Sequence, residues 1–145
     1  METANLKTRN FWSSGFGARL YRKFAGKHFA RMQQFVADSL LKNGVKNLLD
    51  LACGPGDFIV YLKEQDKNIH LSGTDIAPGM ITYAKKRLGE SSNILEADSE
   101  HQPFPDKTFE AVTVMMAFHH FPNQLASLKE IKRILRINRI KNKKA

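Results

Sequence analysis

The strongest constraint on the fold is a short apolar run that stops at a glycine turn and is followed by helical spacing. The run covers 47–52, the turn is Gly54-Pro55-Gly56, and apolar residues recur at helical steps over 58–62. A run too short for a helix, broken by glycines and followed by a period near 3.6, predicts strand, turn and helix. Such units build a parallel sheet covered by helices.

The same alternation continues along the chain. An amphipathic helix is predicted at 27–42, further strands at 69–74, 93–97 and 111–116, and helices at 78–88 and 123–135. We expect the fourth strand to be buried on both faces. The last helix should turn these residues inward: Leu125, Leu128, Ile131 and Ile134 or Leu135. The predicted fold class is therefore α/β, with a Rossmann-like, mainly parallel sheet, helices on both faces and right-handed crossovers.

Composition excludes several classes of protein. A chain of 145 residues with 42% hydrophobic residues is long enough for one domain with a real core. Its single cysteine, Cys53, allows neither an internal disulfide nor a structural zinc site, and no metal is predicted. No apolar run approaches the roughly 20 residues of a membrane span, and 1–9 has no signal-peptide character, so we expect a cytoplasmic protein.

Charge is distributed very unevenly. Residues 1–46 hold nine Lys/Arg against two acids, 47–128 hold six against eleven, and 129–145 hold eight against one. A nucleic-acid-binding protein usually places its cations around its binding motif, whereas here the central segment, which carries the motifs, is acidic. We therefore favour solvated helix faces and a mobile tail at the basic ends, with RNA or acidic-membrane contact as the alternative.

Glycines and an acid mark one end of the predicted sheet. In open parallel sheets, ligands bind beyond the carboxyl ends of the strands. Gly54 and Gly56 let the backbone turn close to a ligand, and Asp75 ends the second strand, where a carboxylate can accept ribose hydroxyls. This pattern predicts an adenosine-type ligand. Ile59 replaces the Gly or Ala of the dinucleotide fingerprint and Asp50 would repel a pyrophosphate, so a ligand with an ammonium group is favoured.

Four segments in sequence order carry a more specific signal. They are LLDLACGPGDF at 48–58, GTDIAPGM at 73–80, EADSE at 96–100 with PFPDKTFE at 103–110, and AFHHF at 117–121. Together they resemble the class I S-adenosylmethionine-dependent methyltransferases, in the small-molecule branch that includes the ubiquinone and menaquinone methyltransferases. The resemblance implies S-adenosylmethionine as cofactor and a small molecule as methyl acceptor.

The resemblance also implies residues for the methionine part of the cofactor. Asp50 would orient the ammonium group through the turn. Backbone would be presented by Ala52, Gly54 and Gly56, and Met116 would line the cofactor at the end of the fourth strand.

A second group of residues is implied for the adenosine part. Asp75 would hold the ribose hydroxyls, and Ile76 would pack on the adenine ring. Asp98 would accept the adenine amino group, with Ser99 donating from its backbone. The alternative for Asp98 is a cap of a helix or turn.

Acceptor chemistry is less constrained by the sequence. His119 follows the fourth strand and can act as a base near neutral pH, with a capping or packing histidine as the alternative. We interpret Cys53 as a packing residue, not a catalytic thiol. The N-terminal aromatics would either line an acceptor pocket or cover the sheet edge, which we favour: Phe11, Trp12, Phe16, Tyr21 and Phe24.

The chain departs from the family after its fourth strand and the following helix. No Pro-Gly-Gly-like turn or fifth strand follows, and the chain looks truncated within a seven-stranded fold; a frameshift or early stop is our hypothesis for the tail. We divide the chain into an N-terminal helical cover (1–45), an incomplete S-adenosylmethionine-binding α/β domain (46–136) and a basic tail (137–145). An exposed fourth strand predicts homo-oligomers that pair at that edge.

The leading functional prediction is S-adenosylmethionine-dependent methyl transfer to a small molecule. This activity would be lost if the truncation removes the contacts that hold the acceptor. One alternative is a non-catalytic module that binds an adenosyl ligand or a partner protein. A weaker one is an RNA methyltransferase or RNA-binding protein that uses the basic ends.

Overall fold

A computed structural model describes residues 2–14 and 29–137. The elements, in chain order, are α1 (Glu2–Ser13), α2 (Ala30–Lys42), β1 (Asn47–Leu51), α3 (Asp57–Gln65), β2 (His70–Asp75), α4 (Pro78–Leu88), β3 (Asn93–Glu96), β4 (Ala111–Thr113), a 3₁₀ turn (Phe118–His120) and α5 (Gln124–Ile134). The aromatics Phe16, Tyr21 and Phe24 and the tail from 138 onward lie outside the described residues. Within the described ranges, no helix has the length and apolar character needed to cross a bilayer.

Within 2–14 and 29–137, four strands form one parallel sheet in the order β3-β2-β1-β4. The register pairs Leu51 with Thr74 at the end of β1, and Asp50 with Thr113 of β4. Because all strands run the same way, their carboxyl ends lie along one edge of the sheet. The predicted mainly parallel α/β fold is confirmed.

Helices cover both faces of the sheet, as predicted. On one face, Leu48 lies in a buried cluster with Ala37 of α2 and Leu62 of α3. On the other, Leu49 of β1 lies in a cluster with Ile134 of α5. Alternate residues of β1 therefore pack into the clusters on opposite faces of the sheet, as the period of two in a strand requires.

The inward face predicted for α5 is partly wrong. Leu125 is 63% exposed and Leu128 is 49% exposed, whereas Ser127 and Ile134 are buried. The buried side of the helix carries Ser127 instead, whose hydroxyl lies 2.8 Å from that of Ser99, so a small polar side chain faces the sheet where a leucine was expected. The hydrogen bond between the two hydroxyls compensates for their burial away from water.

Strand β4 is shorter than predicted and only half-buried, with Ala111 and Val112 partly accessible. It lies at the sheet edge, as expected. The segment after α5 covers the start of that edge: the Phe109 N–H donates to Ile134 O (3.0 Å), and the Arg136 N–H donates to Phe109 O (2.7 Å). Half-burial follows from an edge position, because a neighbouring strand lies on one side only.

Self-association through β4 stays a prediction. An open strand edge offers backbone donors and acceptors to a second copy. Light scattering of the full chain at increasing concentration should show a mass above that of the monomer. A monomer whose mass does not change with concentration would contradict edge pairing.

Gly73 in β2 lies where three side chains converge. An added Cβ would stand 2.6 Å from Ile59 Cδ1, 2.8 Å from Ile94 Cδ1 and 2.9 Å from Cys53 Sγ. Overpacking of this kind costs about 1–3 kcal/mol. We expect Gly73→Ala to lower the free energy of unfolding by that amount in urea titrations, and Gly73→Val to lower it further. If the unaltered chain and both variants were equally stable, the side chains around Gly73 would be able to move aside without cost in free energy.

Candidate functional site

The loop after β1 has an unusual backbone. Ala52 has φ 60°, Gly54 has φ 53° and Gly56 has φ 78°. The loop is tied to β2 by the Cys53 N–H, which donates to Thr74 O (2.9 Å). A left-handed conformation costs energy at Ala52, which has a Cβ, and strain of this kind often accompanies functional loops.

The two glycines of this loop have different surroundings. A Cβ added at Gly54 would meet nothing within 4 Å, so this residue borders open space. A Cβ at Gly56 would lie 3.1 Å from Leu88 Cδ1 and 3.4 Å from Ala84 Cβ of α4. Gly54 therefore allows a ligand to approach the backbone, whereas Gly56 serves the turn and its packing.

Asp75 joins the loops that follow β1 and β2. Its Oδ2 accepts the Gly54 N–H and its Oδ1 accepts the Ala77 N–H, both at 2.9 Å. Burial raises the pKa of this carboxyl, and the backbone hydrogen bonds oppose that rise. Each carboxylate oxygen has two acceptor directions, so the group can bind further hydroxyls while holding both loops. The half-buried Ile76 follows it directly.

Asp50 lies beneath the glycine loop, where only 1% of the residue is exposed. Its Oδ1 accepts a hydrogen bond from Thr113 Oγ1 of β4 (2.7 Å). Its pKa is raised from 3.8 to about 7, chiefly by burial; the Thr113 hydrogen bond opposes this rise and the charge of Asp75 adds to it. Asp50 can act on a ligand only through the loop above it, which is the manner the resemblance implied.

Thr113 was missed by the sequence analysis. Its signal is a single hydroxyl in an otherwise apolar strand, and a buried carboxyl such as Asp50 needs a donor of this kind.

Cys53 lies in the same buried environment and is 6% exposed. Burial, and then the nearby Asp50 and Asp75, raise the pKa of its thiol, so the group is a neutral packing residue as interpreted.

The loop after β3 continues the same edge. The Ala97 N–H donates to Asp75 O (3.0 Å). Asp98 Oδ1 accepts the Glu100 N–H (3.0 Å), as in a turn cap, and the buried Ser99 directs its hydroxyl to α5. Ser99 therefore has only its backbone to offer a ligand, and the adenine role of both residues stays a prediction.

Gln102 anchors this third loop and was also missed. It is 6% exposed, and its Oε1 accepts from Thr74 Oγ1 (3.0 Å). Its Nε2 donates to Asp98 O (2.7 Å). No sequence signal distinguished it from the other polar residues of its turn.

The 3₁₀ turn after β4 places the histidines at the same end of the sheet. Met116 has φ 57° and is 51% exposed. The exposed His119 ring lies 3.9 Å from that of His120, centroid to centroid. Burial, and then the charge of His119, lower the pKa of His120. The catalytic role of His119 and the cofactor contact of Met116 stay predictions.

Helix α1 crosses this end of the molecule. Arg9 pairs with Glu96 at the end of β3 (2.8 Å), and the Trp12 ring packs edge-on against His120, 6.1 Å away. Phe11 lies beside Trp12 and is 43% exposed. The described part of the N-terminal segment thus lies over the carboxyl ends, and both roles considered for its aromatics stay predictions. Among the described residues, no three His, Cys, Asp or Glu side chains are grouped as a metal would need.

Residues 49–138 match the family described as a methyltransferase domain. The chain is 36% identical over 108 residues to the demethylmenaquinone methyltransferase of Thermus thermophilus, covering 72% of this chain and 49% of that relative. It is 33% identical over 119 residues to a ubiquinone/menaquinone biosynthesis C-methyltransferase of Xanthomonas campestris, covering 77% and 46%.

A solved structure supports the same fold. An S-adenosylmethionine-dependent methyltransferase from Aquifex aeolicus superposes with a TM-score of 0.64 and 25% identity, covering 82% of this chain and 67% of that one. The chain spans about half the length of the curated relatives named above.

Proposed function

Because the chain belongs to the class I S-adenosylmethionine-dependent methyltransferase family, we propose that it binds S-adenosylmethionine and transfers the methyl group to a small molecule. One observation carries the proposal. The Asp75 carboxylate accepts the Gly54 N–H and so joins an open glycine loop to the acid that would bind ribose. This is the arrangement that an adenosyl ligand needs at the end of a parallel sheet.

Several described residues support a cofactor site at this place. Open space at Gly54 suits the methionine part, and the second acceptor directions of Asp75 suit the two ribose hydroxyls. The half-buried Ile76 and the turn at Asp98 would take the adenine. Asp75, together with Asp50 in its ionised form, makes the surroundings of the loop negative, which favours a cationic ligand over a pyrophosphate.

Bound S-adenosylmethionine supplies a methyl group that is already electrophilic on its sulfonium. The chain needs to hold the acceptor in line and exclude water, which is where most of the rate gain arises. In this proposal α1 excludes water through Trp12, and His119 takes the proton that the acceptor loses.

We place the acceptor in the quinol class. The curated relatives are named for demethylmenaquinone and for ubiquinone and menaquinone. Two aromatic rings of the post-β4 loop, Phe118 and Phe121, lie 5.6 Å apart edge to face. Rings so arranged can pack against a flat aromatic acceptor.

A turnover assay tests this proposal. The full chain is mixed with S-adenosylmethionine and demethylmenaquinol, and release of S-adenosylhomocysteine is measured. We expect acceptor-dependent product, at least tenfold less for His119→Ala, and unchanged for His70→Ala, since the exposed His70 begins β2 at the opposite end of the sheet. Saturable cofactor binding without any product would favour the non-catalytic module. Absence of cofactor binding by the folded chain would contradict both.

A further inference from the structure

A second surface, which runs along α5, combines exposed apolar and cationic side chains. Leu125, Leu128, Lys129 and Lys132 stand three and four residues apart and share the solvent side of α5. Leu125 is 63% exposed and Leu128 is 49% exposed. The face continues to the exposed Ile137 and Lys107, and we call these six residues the α5 face.

The α5 face includes a groove. Its volume is about 470 Å³, and it is lined by Lys107, Lys129 and Lys132, by Leu135 and Ile137, and by Asp106, Arg133 and Arg136. The Lys107 N–H donates to Arg133 O (2.9 Å), which holds the turn carrying this lysine against the end of α5. Three lysines from two segments thus converge around an apolar floor.

Nearby acids do not neutralise these lysines. Arg133 binds Asp106 (2.7 Å) and Glu130 (2.6 Å), and Arg136 lies 3.8 Å from Glu110. Within 2–14 and 29–137, neither Lys107, Lys129 nor Lys132 pairs with a carboxylate. The two arginines hold three carboxylates, so one negative charge offsets part of the lysine charge, and the surface around the three lysines keeps a net charge of +2.

We propose that the α5 face docks on an anionic phospholipid bilayer. The lysines would bind lipid phosphates, and Leu125, Leu128 and Ile137 would enter the interface, as on other amphipathic surface helices. A nucleic acid would use the lysines but leave the three apolar side chains in water, so it fits the face less well. The inference goes beyond the proposed function and does not depend on it.

Vesicle co-sedimentation of the full chain tests this surface. We expect binding to vesicles of phosphatidylcholine with 30% phosphatidylglycerol and weak binding to pure phosphatidylcholine. Each lysine near an anionic surface contributes about a factor of five, so the triple variant Lys107→Gln/Lys129→Gln/Lys132→Gln should bind about 100-fold more weakly. The double variant Leu125→Ser/Leu128→Ser should also bind more weakly.

The control removes the same charge elsewhere. Lys42, Lys63 and Lys67 are exposed on or near α2 and α3, which cover the other face of the sheet. The triple variant Lys42→Gln/Lys63→Gln/Lys67→Gln should retain binding. Equal losses in both triple variants, no vesicle binding, or tighter binding to duplex RNA at the same salt would overturn the proposal. So would lipid-independent dimers that the leucine variant dissociates, because a second copy would then cover the face.

Discussion

Asp75→Ala is expected to weaken S-adenosylmethionine binding by at least 100-fold. The substitution removes the acceptors of the Gly54 and Ala77 N–H groups and, in our proposal, of both ribose hydroxyls. Hydrogen bonds to a charged group contribute about 1.5–3 kcal/mol each, so losing two to the ligand accounts for a factor of this size. Calorimetric titration with S-adenosylmethionine and S-adenosylhomocysteine measures it.

A matched control lies on the same edge of the sheet. Glu96→Gln also removes one carboxylate, but Glu96 is exposed and its only role in the described structure is the ion pair with Arg9. An exposed ion pair contributes about 0–1 kcal/mol, so binding should change less than fivefold. If Glu96→Gln and Asp75→Ala weakened binding equally, net charge and not the loop geometry would control the site.

Asp50→Asn is expected to stabilise the protein, and to do so only above acidic pH. The folded pKa of Asp50, about 7, lies above its ordinary value of 3.8, so the buried acid contributes most to stability when protonated. That contribution is complete below pH 4, declines as the pH rises, and is gone above about pH 7. Asparagine does not titrate, and its Oδ1 can still accept from Thr113.

The size of this effect follows from the pKa. At about 1.4 kcal/mol per pKa unit, the advantage of the variant should be on the order of 3–4 kcal/mol larger at pH 8 than at pH 4. Urea unfolding at the two pH values measures it. Asp66→Asn is the control of opposite sign, because the Lys46 partner lowers the pKa of Asp66 and its carboxylate stabilises only when ionised. A pH-independent effect of Asp50→Asn would show that Asp50 is ionised throughout.

Local signals in the sequence were sufficient for most of the fold. Helix α4 begins and ends where predicted, because Pro78 suits a first helical turn and Gly89 follows its last residue. The rotation of α5 was not predictable, because Leu125, Leu128 and Ile131 have helical spacing on their own. The buried side carries Ser127, whose partner Ser99 lies 28 positions away in the sequence.

The candidate site was likewise predictable only in part. Glycines and an acid at strand ends are visible in the sequence because each occupies a fixed place relative to its strand. Partners such as Thr113 and Gln102 are not visible in the sequence, because it does not show which buried group a polar side chain will contact. Likewise, the shielding of Asp50 under the loop depends on β4, which is more than 60 residues away.

Hydrogen–deuterium exchange with and without S-adenosylmethionine locates the ligand on the chain. We expect the cofactor to slow exchange in the loops at 52–57, 75–77 and 97–102 and to leave α2 and the 106–110 turn unchanged. Protection elsewhere, or none at saturating ligand in the folded chain, would contradict a cofactor site at the carboxyl ends of β1, β2 and β3.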